Sequence, residues 1–119
     1  MNIHIQQINN TPIAFILSGN VEINNVDQAL DLLGNASHKG VYKIVLNASQ
    51  ITPLFFDLKT GIAGDILQKF SNYNMQLAIV GDFSRYESKS LADFIRESNK
   101  AGRIFFVNTM EEATEKLTG

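Results

Sequence analysis

Three short, mostly apolar runs, Tyr42 to Leu46 (YKIVL), Gln76 to Gly81 (QLAIVG) and Arg103 to Val107 (RIFFV), alternate with stretches whose apolar residues recur every three or four positions. No other feature constrains the chain as much. A brief apolar run between turn signals suits a strand covered on both faces, as in a parallel sheet. The segments between the runs are long enough for the right-handed crossovers that join parallel neighbours.

The remaining elements fit around that core. Ile3, Ile5 and Ile8 alternate with polar residues, the period of a half-buried strand. Asn9-Asn10 tolerates the positive φ of a tight turn, and Pro12 to Leu17 returns as the second arm of a hairpin, with Pro12 suited to a strand start or edge. Asn25 with Gln28 forms a capping pattern. Val26, Ala29, Leu30, Leu33 and Ala36 then give a helix that Gly40 can stop. A second helix is expected from Phe55 or Asp57 to Asn72, on the stripe Phe55, Leu58, Ile62, Ile66, Phe70 and Tyr73. The loop GDFSRYESKS leads to a third helix with Leu91, Phe94, Ile95 and Ser98 inward and Gly102 at its end. Thr109 and Glu112 cap a last helix through Leu117. The order is β-β-α-β-α-β-α-β-α, an α/β fold with a mostly parallel five-stranded sheet.

A chain of 119 residues with 45% hydrophobic and 18% charged residues fits a single folded domain over residues 1–119. A net charge of −2 without a basic stripe argues against nucleic acid. Cysteine is absent, which excludes disulfides and thiolate chemistry and suits a reducing cytoplasm. The start, MNIHIQQINN, lacks the pattern of a signal peptide. The longest aliphatic-aromatic run, Ile13 to Leu17, is far short of the roughly 20 residues a membrane helix needs. A soluble, cytoplasmic protein is expected.

The segment Phe55 to Phe70 (FFDLKTGIAGDILQKF) places Gly61 and Gly64 where a helix is expected, at roughly 1 kcal/mol each against alanine. The text matches neither GxxxxGK[ST] nor GxGxxG. Close contact between helix and sheet is therefore expected of them rather than a phosphate cradle.

Ligands of open α/β sheets bind beyond the carboxyl ends of the strands, which selects two polar loops. One carries Asp57, Lys59 and Thr60; the other carries Asp82, Ser84, Arg85, Ser88, Lys89 and Ser90. Asp57 is a helix N-terminal acid favoured by the macrodipole, or a recognition carboxylate. Ser88 is an N-cap, or joins Arg85 and Lys89 in holding a small anion or phosphate. Lys89, Asp93, Arg96 and Lys100 lie on one outer face of the third helix, as solvated i,i+4 pairs do. His4 and His38 are far apart in sequence and no triad spacing stands out, so no metal, cofactor or catalytic residue is assigned.

The texts FFDLKTG (55–61), ILQKF (66–70), GDFS (81–84), SKSL (88–91) and ESNK (97–100) resemble domain-of-unknown-function family 4180 over nearly the whole chain. The element order is also similar, more distantly, to the STAS domain of anti-sigma factor antagonists, a β-α superhelix. In that fold a serine of an Asp-Ser-Ser-Gly motif after the third strand is phosphorylated by a partner kinase. Here Asp57-Leu58-Lys59-Thr60-Gly61, one residue longer, takes that place, and the resemblance implies Thr60 as the phosphorylation position.

A non-enzymatic STAS-like module is expected, binding a protein partner or a second copy through the rim around the second helix. If the helices crowd one sheet face, apolar residues of the other would favour a homodimer. The alternative is a small ligand-binding protein or enzyme using Asp57 and Asp82 with Lys59 or Arg85.

Overall fold

A computed structural model describes residues 2–119. Its single five-stranded sheet comprises β1 (Ile3–Ile8), β2 (Thr11–Ile16), β3 (Lys43–Asn47), β4 (Gln76–Val80) and β5 (Ile104–Val107), in that spatial order. β1 runs antiparallel to β2, and every later neighbour is parallel. Asn9 and Asn10 both take positive φ, at 51° and 64°, which gives the hairpin a two-residue turn whose twist matches the strands.

The helices α1 (Val26–His38), α2 (Ile62–Asn72) and α3 (Lys89–Ala101) pack on one side. Their buried residues Leu32, Leu33, Ile66, Phe70 and Leu91 meet Ile44, Leu46, Leu77, Ile79 and Phe106 of the sheet. The N-caps form as the sequence predicts, Asn25 accepting from the Gln28 N–H at 2.9 Å and Thr109 from the Glu112 N–H at 3.1 Å, but Gln28 and Glu112 reach back one residue further, to the N–H groups of Asn24 and Asn108.

The other side is not left open. α4 (Met110–Thr118) lies across it, and Ile13, Val45, Ala78, Phe105 and Val107 are buried with Ala113 and Leu117. The Lys43 ammonium donates to the Leu117 carbonyl, satisfying one of the orphan acceptors at the end of α4. The sequence made an open apolar face conditional on the helices crowding one side; that condition does not hold, because α4 covers the second face. The exposed strand is β1, whose residues His4 to Gln7 are exposed on both faces rather than half-buried.

The largest departure from expectation is the start of α2. Helical spacing over Phe55 to Phe70 conceals two 3-10 turns, Pro53–Phe56 and Leu58–Thr60, before the α-helix begins at Ile62. Gly61 separates the second turn from α2 and lies in the left-handed region at φ 78°, open to glycine at little cost. A Cβ at Gly61 or at Gly64 would meet nothing within 4 Å, so neither glycine serves close packing. The stripe shortens accordingly: Phe55, Ile66 and Phe70 are buried, while Tyr73 is 52% exposed.

The two glycines should therefore respond with opposite signs. Gly61→Ala is expected to cost about 1–2 kcal/mol, the penalty of a left-handed alanine. Gly64→Ala, in the first turns of α2 and facing open space, should gain up to about 1 kcal/mol from helix propensity. Urea unfolding of both variants checks this, and equal signs would refute it.

Candidate functional site

The carboxyl ends of β3 and β4 carry two loops built on the same plan. After β3, the 3-10 turn Ala48–Gln50 folds the chain back, and the Asn47 N–H donates to Gln50 Oε1 at 2.8 Å. The Gln50 amide donates to the carbonyls of Ile16 at 2.9 Å and Ser18 at 2.7 Å. A fully buried polar side chain thereby ties the end of β2 to the loop that follows β3. After β4, Asp82 opens the turn Phe83–Arg85 and accepts from the Ser84 N–H at 3.1 Å and the Ser84 hydroxyl at 2.6 Å.

Aromatic rings lock the two loops together. Phe56 stacks on Tyr86, with centroids 5.0 Å apart and planes 18° from parallel, and lies 5.9 Å from Phe83. Phe83 in turn meets Phe106 of β5 edge-on at 5.3 Å. The backbones approach as closely: a Cβ on Gly81 would fall 2.8 Å from the Ala48 Cβ, so this glycine is required by contact. The rim is therefore one preformed surface continuous with the core.

Between the loops lies a groove of about 270 Å³, lined by Asn47, Ala48 and Ser49 on one side and by Val80, Gly81, Asp82, Arg85 and Tyr86 on the other. The Ser84 hydroxyl, and after it the Ser84 N–H, holds the Asp82 carboxyl below its ordinary value, with Arg85 adding to the effect. Arg85 donates to the Tyr86 hydroxyl at 3.1 Å, which raises its already high value, and its guanidinium sits 5.1 Å from the Tyr86 ring centre. At neutral pH the groove thus presents one anion and one cation, each held by its own neighbour.

The other residues singled out in the sequence lie elsewhere on this rim. Asp57 is exposed, accepts from the Lys59 N–H at 3.2 Å, and is not among the residues lining the groove. It caps a 3-10 turn instead of starting an α-helix. Lys59 is exposed beside it. The Thr60 hydroxyl lies within donating distance of the Leu54 carbonyl at 2.8 Å and the Asp57 carbonyl at 2.9 Å, and it accepts from the Ile62 N–H at 3.3 Å. It latches both turns to the start of α2. Ser88 is the N-cap of α3, accepting from the Leu91 N–H at 3.2 Å.

Lys89 pairs with Asp93 at 3.1 Å, and Arg96 meets the same carboxylate at 2.7 Å. Arg96 first, then Lys89, holds the Asp93 carboxyl below its ordinary value. Arg85 and Lys89 are accordingly engaged with different partners. Among the described residues, no three His, Asp or Glu side chains could hold a metal ion.

Sequence reasoning missed Asn47, Ser49, Gly81 and Tyr86 as site residues. For Asn47 the signal was present, since it ends a central parallel strand and stands where α/β sheets bind ligands. Tyr86 carried no such signal, because its role depends on Phe56, thirty residues earlier.

A family model described as Domain of unknown function (DUF4180) matches residues 8–117. No curated protein matches the chain. Among solved structures, the crystal structure of TM1081 from Thermotoga maritima, provisionally described as an anti-sigma factor antagonist, is similar at 16% identity and a TM-score of 0.50. The match covers 98% of this chain and 95% of that one. The NMR structure of TM1081 matches at 19% identity and a TM-score of 0.46, over 93% of this chain and 84% of that one. The fold is the STAS-like α/β arrangement expected from the element order.

Proposed function

The chain belongs to the DUF4180 family, a domain of unknown function, and from that premise we propose that it is a non-enzymatic interaction module. Residues 1–119 act as one domain in the cytoplasm, and a protein partner docks on the rim formed by residues 47–61 and 80–89. The observation that carries this reading is the aromatic lock of Phe56 on Tyr86, which holds an open, mixed-charge groove in place before any partner arrives. Preformed surfaces bind with less ordering cost than loops that must be arranged.

Acid/base chemistry on this rim has less support. The two-carboxylate alternative needs Asp57 beside Asp82, and only Asp82 lines the groove. A small-anion site has Arg85 in its favour, but the ionised Asp82 shares the same groove. The description of TM1081 as an anti-sigma factor antagonist implies a protein ligand for that protein. A protein ligand is the class proposed here on the strength of the rim itself, since a shared fold does not transfer function.

A photo-crosslinking side chain at Ser49 tests the proposal in the native host. It should capture a protein that the same group at Asn35, an exposed residue of α1, does not capture. Arg85→Ala should reduce the yield about tenfold, the effect of one interface residue worth over 1 kcal/mol. Equal capture at both positions would remove the rim from consideration.

Thr60 lies on this rim and is the phosphorylation position we propose. A phosphoryl group would replace the hydrogen now directed at the Leu54 and Asp57 carbonyls, releasing the latch on residues 53–61. Thr60→Glu should alter the Ser49 cross-linking yield with the fold intact, and an unchanged yield would dispose of the switch.

A further inference from the structure

The two edges of the sheet are treated differently. On β5, the backbone groups of Ile104 and Phe106 face away from β4, and α3 supplies partners for both carbonyls and for the Phe106 N–H. The Ser98 hydroxyl donates to the Ile104 carbonyl at 2.6 Å, the Phe106 N–H donates to Asn99 Oδ1 at 2.7 Å, and Asn99 Nδ2 donates to the Phe106 carbonyl at 3.3 Å. Side chains of α3 thus cover most of that edge. The opposite edge, β1, is six residues long, IHIQQI, with no proline, no lysine, no acid and no bulge in its pairing with β2. It lacks the devices by which sheet edges avoid pairing.

The register of β1 states which groups are free. The Leu17 N–H donates to the Asn2 carbonyl, and the two-residue turn joins Ile8 to Thr11. By antiparallel alternation His4, Gln6 and Ile8 bond to β2, while the backbone groups of Ile3, Ile5 and Gln7 point outward. We propose that these outward groups pair antiparallel with the same strand of a second copy, giving a two-fold dimer with one continuous sheet.

Centring the axis on Ile5 uses every outward residue. Ile5 then faces Ile5 of the second copy, and Ile3 faces Gln7 in both directions, each pair exchanging two hydrogen bonds. The side chain of Ile5, 37% exposed in the single chain, gains an apolar neighbour on the face that carries α1, α2 and α3. No like charges meet, because β1 carries no Lys, Arg, Asp or Glu. With α3 packed along the β5 edge and bonded to it, strands have no comparable second edge on which to add, so pairing stops at two copies.

Hydrogen exchange followed residue by residue, together with sedimentation over a concentration series, tests this directly. The expected result is a dimer in which the amides of Ile3, Ile5 and Gln7 become protected as concentration rises. Ile5→Pro removes only an outward donor and should give a folded monomer. Ile5→Lys, which keeps the backbone donor and sets like charges face to face, should do the same if proline disturbs folding. A monomer at high concentration with fast-exchanging odd-numbered amides overturns the proposal. So does protection of those amides by another protein's strand while the chain itself stays monomeric, or a dimer that survives both substitutions.

Discussion

Replacing Gln50 with alanine is expected to lower the midpoint of thermal unfolding by about 10 °C. Gln50 is 1% exposed, and its amide serves three backbone groups: the Asn47 N–H and the carbonyls of Ile16 and Ser18. Orphaning a buried backbone group costs about 1–3 kcal/mol. The Ser18 and Asn47 bonds are only part-buried, so water can repair some of the loss. About 3 kcal/mol in total follows, which for a domain of this size corresponds to the stated shift. Gln50→Glu separates the roles: a carboxylate still accepts from Asn47 but cannot donate to two carbonyls, so most of the loss should persist. Circular dichroism melts of both variants decide the matter, and shifts of under about 3 °C would show that the clamp is dispensable.

Phe55→Ala should be still more damaging, at about 3–5 kcal/mol, the usual range for emptying a buried aromatic site. Phe55 is completely buried and touches Phe56 edge-on at 5.0 Å and Phe106 at 6.2 Å, so its loss opens the floor beneath the rim. Total domain stability is commonly about 5–15 kcal/mol, so the variant forfeits a large share of it. Tyr73→Ala, on the other end of the stripe read from sequence, should change stability by no more than about 0.5 kcal/mol because the ring is 52% exposed. Urea titrations of the pair measure how far the stripe really extends; comparable losses would contradict the structure.

That contrast also shows what a lone sequence discloses here. The strand runs, the helix caps at Asn25 and Thr109, the Asn9-Asn10 turn and the alternation of elements all depend on local chemistry, and they were legible. The 3-10 turns between Pro53 and Thr60 were not. Tight turns repeat nearly every three residues, and over one or two turns an apolar stripe cannot distinguish that from an α-helix. Gly61 offered the needed hint, since its backbone, and not its packing, demands glycine. Of the site, the two rim loops and the residues Asp82 and Arg85 could be read from the rule for α/β sheets. The pairing of Phe56 with Tyr86, and of Gly81 with Ala48, could not, because both are contacts between distant parts of the chain. The texts ESNK and GDFS gain a physical meaning in the structure. Ser98 and Asn99 cover most of the β5 edge, and Gly81 and Asp82 shape the groove.

The strand order also has a consequence for how such a chain comes into being. Spatial order equals chain order from β1 to β5. A ribosome releasing this sequence delivers each strand to the growing margin of what is already assembled, and no strand must wedge between two that have paired. Nucleotide-binding sheets with reversed strand order must leave a gap or build outward in both directions. Here α4, which follows β5 in the chain, crosses back over β4 and β5 and is bonded by Lys43 of β3. The nine residues of α4 therefore seal the apolar face that every earlier step leaves wet.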